Sequence, residues 1–377
     1  MPRPYERIAI MSIDAFRHRL QERERALSPF AARDATSKGR ERSEEPRPFR
    51  TAYQEDRDRI VRSKAFRRLK HKTQVFIAPL GDHYLTRLTH TMEVSLLART
   101  VTRALNLNED LAEAVSMGHD VGHAPFGHLG EQTLAEMYPG GFRHNRQSLR
   151  VVDVLENDGR GLNLTWEVRQ GILRHSKGRS DIEGQANPEL DTLEAQAAKI
   201  ADALAYINHD TDDAIRAGII SEGDLPASVT AVLGRSPRER LDTFIADLIT
   251  ASWAATGDVP LPKGESPAIR MSHGVSAAAN TLREFLFQTV YLPASDTDQA
   301  ERAREVLRLL YRHFAQRPEL IPEGYSVKDE TPERMALDYV SGMTDAYALR
   351  VAESIKPGVT DGFLEKGVRL TLPTISG

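Results

Sequence analysis

The stretch 118–131, GHDVGHAPFGHLGE, constrains the fold of this chain more than any other. Its four glycines and Pro125 forbid a regular helix or strand, so the elements on either side must meet at a sharp turn. Of the 12 histidines in the chain, His119, His123 and His128 fall inside ten residues of that turn, with Asp120 and Glu131 beside them. A lone histidine on a helix is usually a satisfied structural residue. Three in a glycine-rich turn beside an aspartate are harder to explain as packing. Glycine lets the backbone approach a ligand closely, and imidazole with carboxylate suits Mn, Fe, Zn or, less well, Mg.

The flanks of the turn read as helices. Residues 84–105 place Leu85, Leu88, Met92 and Leu96 on one apolar face. Asn108 is a candidate N-cap followed by Glu109 and Asp110, carboxylates that suit the first turn of a helix ending near Gly118–Gly122. A long helix is predicted over about 188–217, with Asn187 as cap, Pro188 at the first position and Gly218 past the end. Residues 255–267 form a loop, beyond which Val306, Leu309, Leu310 and Phe314 mark another amphipathic helix. No alternating strand pattern longer than a few residues and no internal repeat is found. The fold class is therefore all-α, with room for one small hairpin that the pattern does not place. The division that follows is an N-terminal segment (1–52), a helical core (53–255) and a C-terminal helical part packed on it (256–377). Within the first, residues 30–50 are polar and charged and read as a mobile segment or a surface loop.

Composition narrows the function classes. With no cysteine there is no disulfide, thiolate zinc site or cysteine nucleophile, which suits a reducing cytoplasm. The start lacks the apolar stretch of a signal peptide, and nothing later is long and apolar enough to span a bilayer. A net charge of −4 means that any polyanion must be met by local positive charge. The basic run at 57–72 (Arg57, Arg59, Arg62, Lys64, Arg67, Arg68, Lys70, Lys72) is one source, or else a solvated helix face.

Neighbouring helical side chains diverge by roughly 100°, so His119 and Asp120 cannot close a metal site alone. The other ligands must come from other helices. His90 lies mid-helix in RLTHTMEV and is a good upstream candidate. Asp202 is flanked by Ala201, Ala203, Leu204 and Ala205, where a carboxylate is costly to bury unless it is paired or binds a metal. The plain alternative is a helix–helix salt bridge.

His90, His119–Asp120 and Asp202 resemble the H…HD…D signature of the HD superfamily of metal-dependent phosphohydrolases. The strings DRDRIVRSKAFRRLKHKTQVF, TRLTHTMEV, GHDVGHAPFGHLGE, FRHNRQSLRV, LTWEVRQGILRHS and DYVSGMTDAYAL are similar, within that superfamily, to the deoxyguanosine triphosphate triphosphohydrolase (dGTPase-like) family. The likeness runs from about residue 28 to 352 and thins between 220 and 330. It implies an HD-domain helical bundle that hydrolyses deoxynucleoside triphosphates to deoxynucleoside and inorganic triphosphate. It further implies that His90, His119, Asp120 and Asp202 bind one divalent ion (Mn²⁺ or Mg²⁺, with Fe²⁺, Zn²⁺ or Ni²⁺ as alternatives). By the same resemblance His123 and His128 face the phosphates and Glu131 orients His128. Tyr206 and Asp210 line the nucleoside pocket, Gln74 lies near the sugar 3′-hydroxyl, Arg87 near the α-phosphate, and His144 is a further active-site histidine. A cytoplasmic homo-oligomer with nucleotide-responsive activity is the family's usual form.

The residues agree in part on their own terms. Asp202, Tyr206 and Asp210 follow i, i+4, i+8 and share one helix face, and His128 and Glu131 are three apart. Tyr206 also reads as an ordinary half-buried tyrosine, and Gln74 by itself is unremarkable. His175 caps a helix or lies near the site, outside the ligand set; some HD enzymes bind two metals with histidines in the interval where His144 and His175 fall, but the dGTPase-like resemblance implies one. Two other readings stand beside the main one. One keeps the metal and changes the substrate to a monophosphate, cyclic nucleotide or guanosine tetraphosphate. The other, motivated by the basic run, is a nucleotide-sensing or single-strand-DNA-binding protein.

Overall fold

The computed structural model describes residues 4–74, 86–176, 182, 192–261, 263–325, 327, 329–361 and 363, with backbone alone at 4–12. Among these residues all regular structure is helical. Two isolated antiparallel bridges, Arg40 with Thr165 and Thr73 with Thr86, are the only strand-type pairings among the described residues. The N-terminal half comprises α1 (Pro4–Arg25), α2 (Ala52–Arg62), α3 (Lys64–Arg68), α4 (Arg87–Ala104), α5 (Glu109–Gly118), α6 (Gly127–Met137), α7 (His144–Arg150) and α8 (Trp166–Arg174). There follow α9 (Leu193–Arg216), α10 (Ala227–Leu233), α11 (Pro237–Ala251), α12 (His273–Leu286), α13 (Asp298–Gln316), α14 (Pro332–Ser341) and α15 (Asp345–Ile355). None of them is long and apolar enough to cross a membrane.

The caps explain most boundaries. Asn108 Oδ1 accepts from the Asp110 and Leu111 amides and starts α5, as its sequence position demands. Helix α9 begins later than the periodicity suggested: Thr192 is its cap, accepting from Ala195 N at 3.1 Å, while Asn187 and Pro188 lie outside the described residues. Its end falls at Arg216, with Gly218 at φ +69° just beyond.

One expectation fails on α4. Met92 and Leu96 are 51% and 62% exposed, and Leu85 lies outside the described residues. The helix carries a second apolar stripe, Val94, Leu97, Ala98 and Val101, spaced i, i+3, i+4, i+7, and that stripe is the buried one. The same rotation brings His90 and Arg87 inward.

Helix α9 is the central strut, packed against α4, α5, α8, α11 and α12. One hydrophobic cluster joins these elements and takes in Ile269 to Val290. A second joins Ala124, Phe126, Leu134 and Phe142 to α13, α14 and α15, with Val306, Leu310 and Phe314 buried as their spacing predicts. The segment 30–50 is a surface loop strapped down: Lys38 N donates to Glu167 Oε1 at 2.8 Å and Arg40 to Asn163 O at 2.6 Å and to Asp56. The C-terminal helices reach the histidine turn through Asp345 on α15. Its carboxylate accepts from Phe126 N at 3.1 Å and from Thr73 N at 2.9 Å.

Candidate active site

Three helices converge where the glycine-rich turn leaves α5. Helix α4 supplies Arg87 and His90, the end of α5 and the turn supply His119 and Asp120, and α9 supplies Asp202. The turn is clamped by Ser148 of α7, whose hydroxyl donates to His119 O at 2.6 Å and accepts from Gly122 N at 2.9 Å. That approach requires glycine, since a Cβ on Gly122 would lie 2.1 Å from Ser148 N. Gly122→Ala is therefore expected to cost about 3 kcal/mol, the upper end for overpacking, because backbone must move. Urea titration checks this, and a loss under 0.5 kcal/mol would show that α7 yields freely. Phe126 and Gly127, both at φ +61°, complete the turn into α6.

One ligand atom each from His90, His119 and Asp120 lies within 4.8 Å of the others. Asp202 Oδ1 stands 3.0 Å from His90 Nε2 and 3.6 Å from His119 Nε2. His119 Nδ1 donates to Ser116 O at 2.6 Å, which turns Nε2, buried and without a hydrogen-bond partner, toward the two carboxylates. Two imidazoles and two carboxylates around one point, one of them with an orphaned nitrogen, fit a divalent cation of the Mn, Fe or Zn kind. Burial pulls the His119 imidazolium down, but Asp120 and Asp202 outweigh it and hold it up at about 9. Burial would also raise the two carboxyls; His119, with Arg87 beside Asp120 and His90 beside Asp202, keeps both well below the usual carboxylate range. Arg87 Nη1 donates to Asp120 Oδ2 at 2.6 Å, both groups buried, so it orients that carboxylate as well as bringing positive charge to the site.

A second group of histidines lies alongside. Ligand atoms of Asp120, His123 and His144 fall within 4.8 Å of one another, as do those of His123, His128 and Glu131. The sequence ties Glu131 to His128, and the structure divides it: Oε2 is 3.5 Å from His128 Nδ1 and 2.9 Å from His144 Nδ1. Burial opposes ionisation of Glu131, yet its bonds to both rings hold it well below the usual range. His123 is buried and stacked on His144 with centroids 4.6 Å apart; burial and nearby Arg87 keep it neutral. His128 is the open member, its side chain 60% exposed. His175, left outside the predicted set, does both things weighed for it: it ends α8 and its Nε2 lies 3.0 Å from His144 Nε2.

The pocket wall comes from α9 and α12's extension. The Tyr206 ring is 5.9 Å from that of His128, and Asp210, one turn on, is buried and accepts from the Tyr291 hydroxyl. Tyr291 escaped sequence reasoning because it is 81 residues away in the chain and nothing local marks it. His209 and Glu93, in contact beside His90, were also missed, although each sits within one turn of a predicted residue. Gln74 is buried at the mouth of the turn, its carbonyl 3.5 Å from Arg87 Nη2 and its Oε1 without a partner.

Burial, aided by nearby Asp213, pushes the Asp210 carboxyl up to about 8. Since its unfolded value is 3.8, the folded state holds the extra proton, and stability through this group is lost as pH rises from about 4 to 8. Asp210→Asn should remove that slope, at most about 1.4 kcal/mol per pH unit. Urea midpoints at several pH values check it; an unchanged slope would contradict it.

The basic run is mostly answered within the chain. Arg57 meets Glu113 at 2.9 Å, Arg59 meets Glu55 at 2.7 Å, and Arg68 reaches Tyr325 and Glu156. Lys72 is buried and donates to the His123 and Ser341 carbonyls, so it holds the turn in place; burial pulls it down to about 7.

This arrangement of helices and ligands defines an HD domain, and the HD-domain profile matches residues 87–207, with the phosphohydrolase-associated domain matching 269–354. The deoxyguanosinetriphosphate triphosphohydrolase-like protein of Caldanaerobacter subterraneus subsp. tengcongensis is 49% identical over 325 residues, 86% of this chain and 90% of that one. The protein of the same description from Clostridium tetani is 42% identical, covering 92% of this chain and 98% of that one. That from Paracoccus denitrificans is 39% identical over 87% and 99%. The chain belongs to the deoxyguanosinetriphosphate triphosphohydrolase-like family of HD-domain proteins.

Proposed function

We propose that the chain hydrolyses deoxynucleoside triphosphates at the α-phosphorus, releasing deoxynucleoside and intact triphosphate. The observation that carries this reading is the juxtaposition of the His90–His119–Asp120–Asp202 donors with an exposed, carboxylate-bonded histidine, His128, beside Tyr206. A divalent cation held by those four residues supplies a Lewis acid for a phosphoryl oxygen and a site for water. Glu131 fixes the Nδ1–H tautomer of His128, so the protonated ring has Nε2–H to give to the departing 5′-oxygen. Tyr206 packs on the sugar or base, and Asp210, protonated at neutral pH and aligned by Tyr291, donates a hydrogen bond to it. Arg87 offers its remaining guanidinium hydrogens, including a buried Nε–H without a partner, to the α-phosphate. A homo-oligomer belongs to the same reading, and light scattering tests it.

The test is separation of products after incubation with Mn²⁺ and each of the four dNTPs. Triphosphate with deoxynucleoside supports the reading and ranks the bases. Diphosphate or monophosphate products move the cleavage point and favour another nucleotide substrate.

A further inference from the structure

The buried carboxylate of Asp345 joins two segments that lie far apart in the sequence. Oδ1 accepts from Phe126 N at 3.1 Å, in the histidine turn, and Oδ2 accepts from Thr73 N at 2.9 Å and Thr73 Oγ1 at 2.6 Å. Each contact bears on a residue that the proposed reaction uses. Phe126 comes two positions before His128 and sits in the left-handed region at φ +61°. A residue with a bulky side chain rarely adopts that conformation unless its surroundings impose it. Here the ring is buried in the cluster formed with α13, α14 and α15, and the amide is bound by Asp345. The C-terminal part thus sets the turn from which His128 leaves.

On the other side, Thr73 lies against the start of α4. It pairs with Thr86 in an isolated bridge, Arg87 N donates to Lys72 O at 3.1 Å, and Gln74 O is 3.5 Å from Arg87 Nη2. The two segments also come close to each other, since a Cβ on Gly127 would lie 3.0 Å from Gln74 O and 3.3 Å from Arg87 Nη2. Lys72 Nζ adds a parallel tie between His123 O and Ser341 O. Arg87, already bound to Asp120, is the fixed point of this arrangement. The proposed metal donors are held by other means: Ser148 clamps the start of the turn, and His90 and Asp202 come from α4 and α9.

We propose that Asp345 is a positioning residue for the reaction: it holds His128, the acid, at its working distance from Arg87 and the α-phosphate. This rests on the roles given above to His128 and Arg87, and it gives the phosphohydrolase-associated part of the chain a task in turnover.

Asp345→Asn tests it, because an amide cannot accept on both sides and sets its NH₂ against a donor. Bound Mn²⁺, read by elemental analysis, should stay as in the wild type. At the same time kcat should fall by about tenfold to a hundredfold, since roughly 1 Å of misplacement can cost the latter. In a His128→Ala background the same substitution should cost less than about twofold more, the group it positions being gone. Equal losses in both backgrounds, or wild-type kcat with only a lowered urea midpoint, would make Asp345 a structural contact and overturn the proposal. Where Asp345→Asn fails to fold, Thr73→Val removes one of the three bonds and Thr73→Ser keeps it; the first should lower kcat in the same non-additive way and the second should restore it. Wild-type products other than triphosphate would defeat the proposed reaction, and the same cycle on that substrate would still judge Asp345. Full turnover in His128→Ala overturns the acid role and this proposal together.

Discussion

Asp202→Ala should lose both metal and turnover. Asp202 is the donor that α9 contributes to the proposed metal centre, and its Oδ1 stands 3.0 Å from His90 Nε2 and 3.6 Å from His119 Nε2. Losing a partner that merely supports a ligand costs roughly 10–100-fold in metal affinity, and losing a ligand costs more. Lewis-acid stabilisation is worth several kcal/mol, so kcat is expected to fall by about a thousandfold or more. Elemental analysis and a single-substrate assay read both effects. Full activity in this variant would remove the metal assignment.

His128→Ala should separate the two functions. The ring lies apart from the proposed metal centre, more than half exposed, touching Glu131 and facing Tyr206. Its removal leaves His90, His119, Asp120 and Asp202 in place, so the metal content should not change. Loss of a general acid typically costs about 10²–10⁴ in rate. A fall of that size in kcat, with bound metal unchanged, is the expected pattern. Loss of metal together with turnover would mean that His128 is a ligand. Glu131→Gln should give a smaller loss than His128→Ala, since it disturbs the tautomer of the ring and not its presence.

The sequence made the turn legible because glycine and proline spacing is local information, and the histidines were countable within it. The shared face of Asp202, Tyr206 and Asp210 was equally local, fixed by helical period on α9. The facing of α4 was not, because two apolar stripes compete there and only packing against α9 and α5 decides between them. His175 stayed ambiguous for a related reason: its approach to His144 depends on how α7 and α8 pack, which no single segment encodes. Tyr291 arrives from the C-terminal part onto Asp210, a contact that periodicity cannot announce. The basic run stayed open between two readings, since its acidic partners are scattered from Glu44 to Asp158 and no local pattern pairs them.

Hydrolysis of a dNTP in ¹⁸O-labelled water tests the central claim most directly. Attack of water at the α-phosphorus breaks the bond to the 5′-oxygen, so the label should appear in triphosphate and none in the deoxynucleoside. Label in the deoxynucleoside, or its recovery in pyrophosphate or inorganic phosphate, would contradict the account.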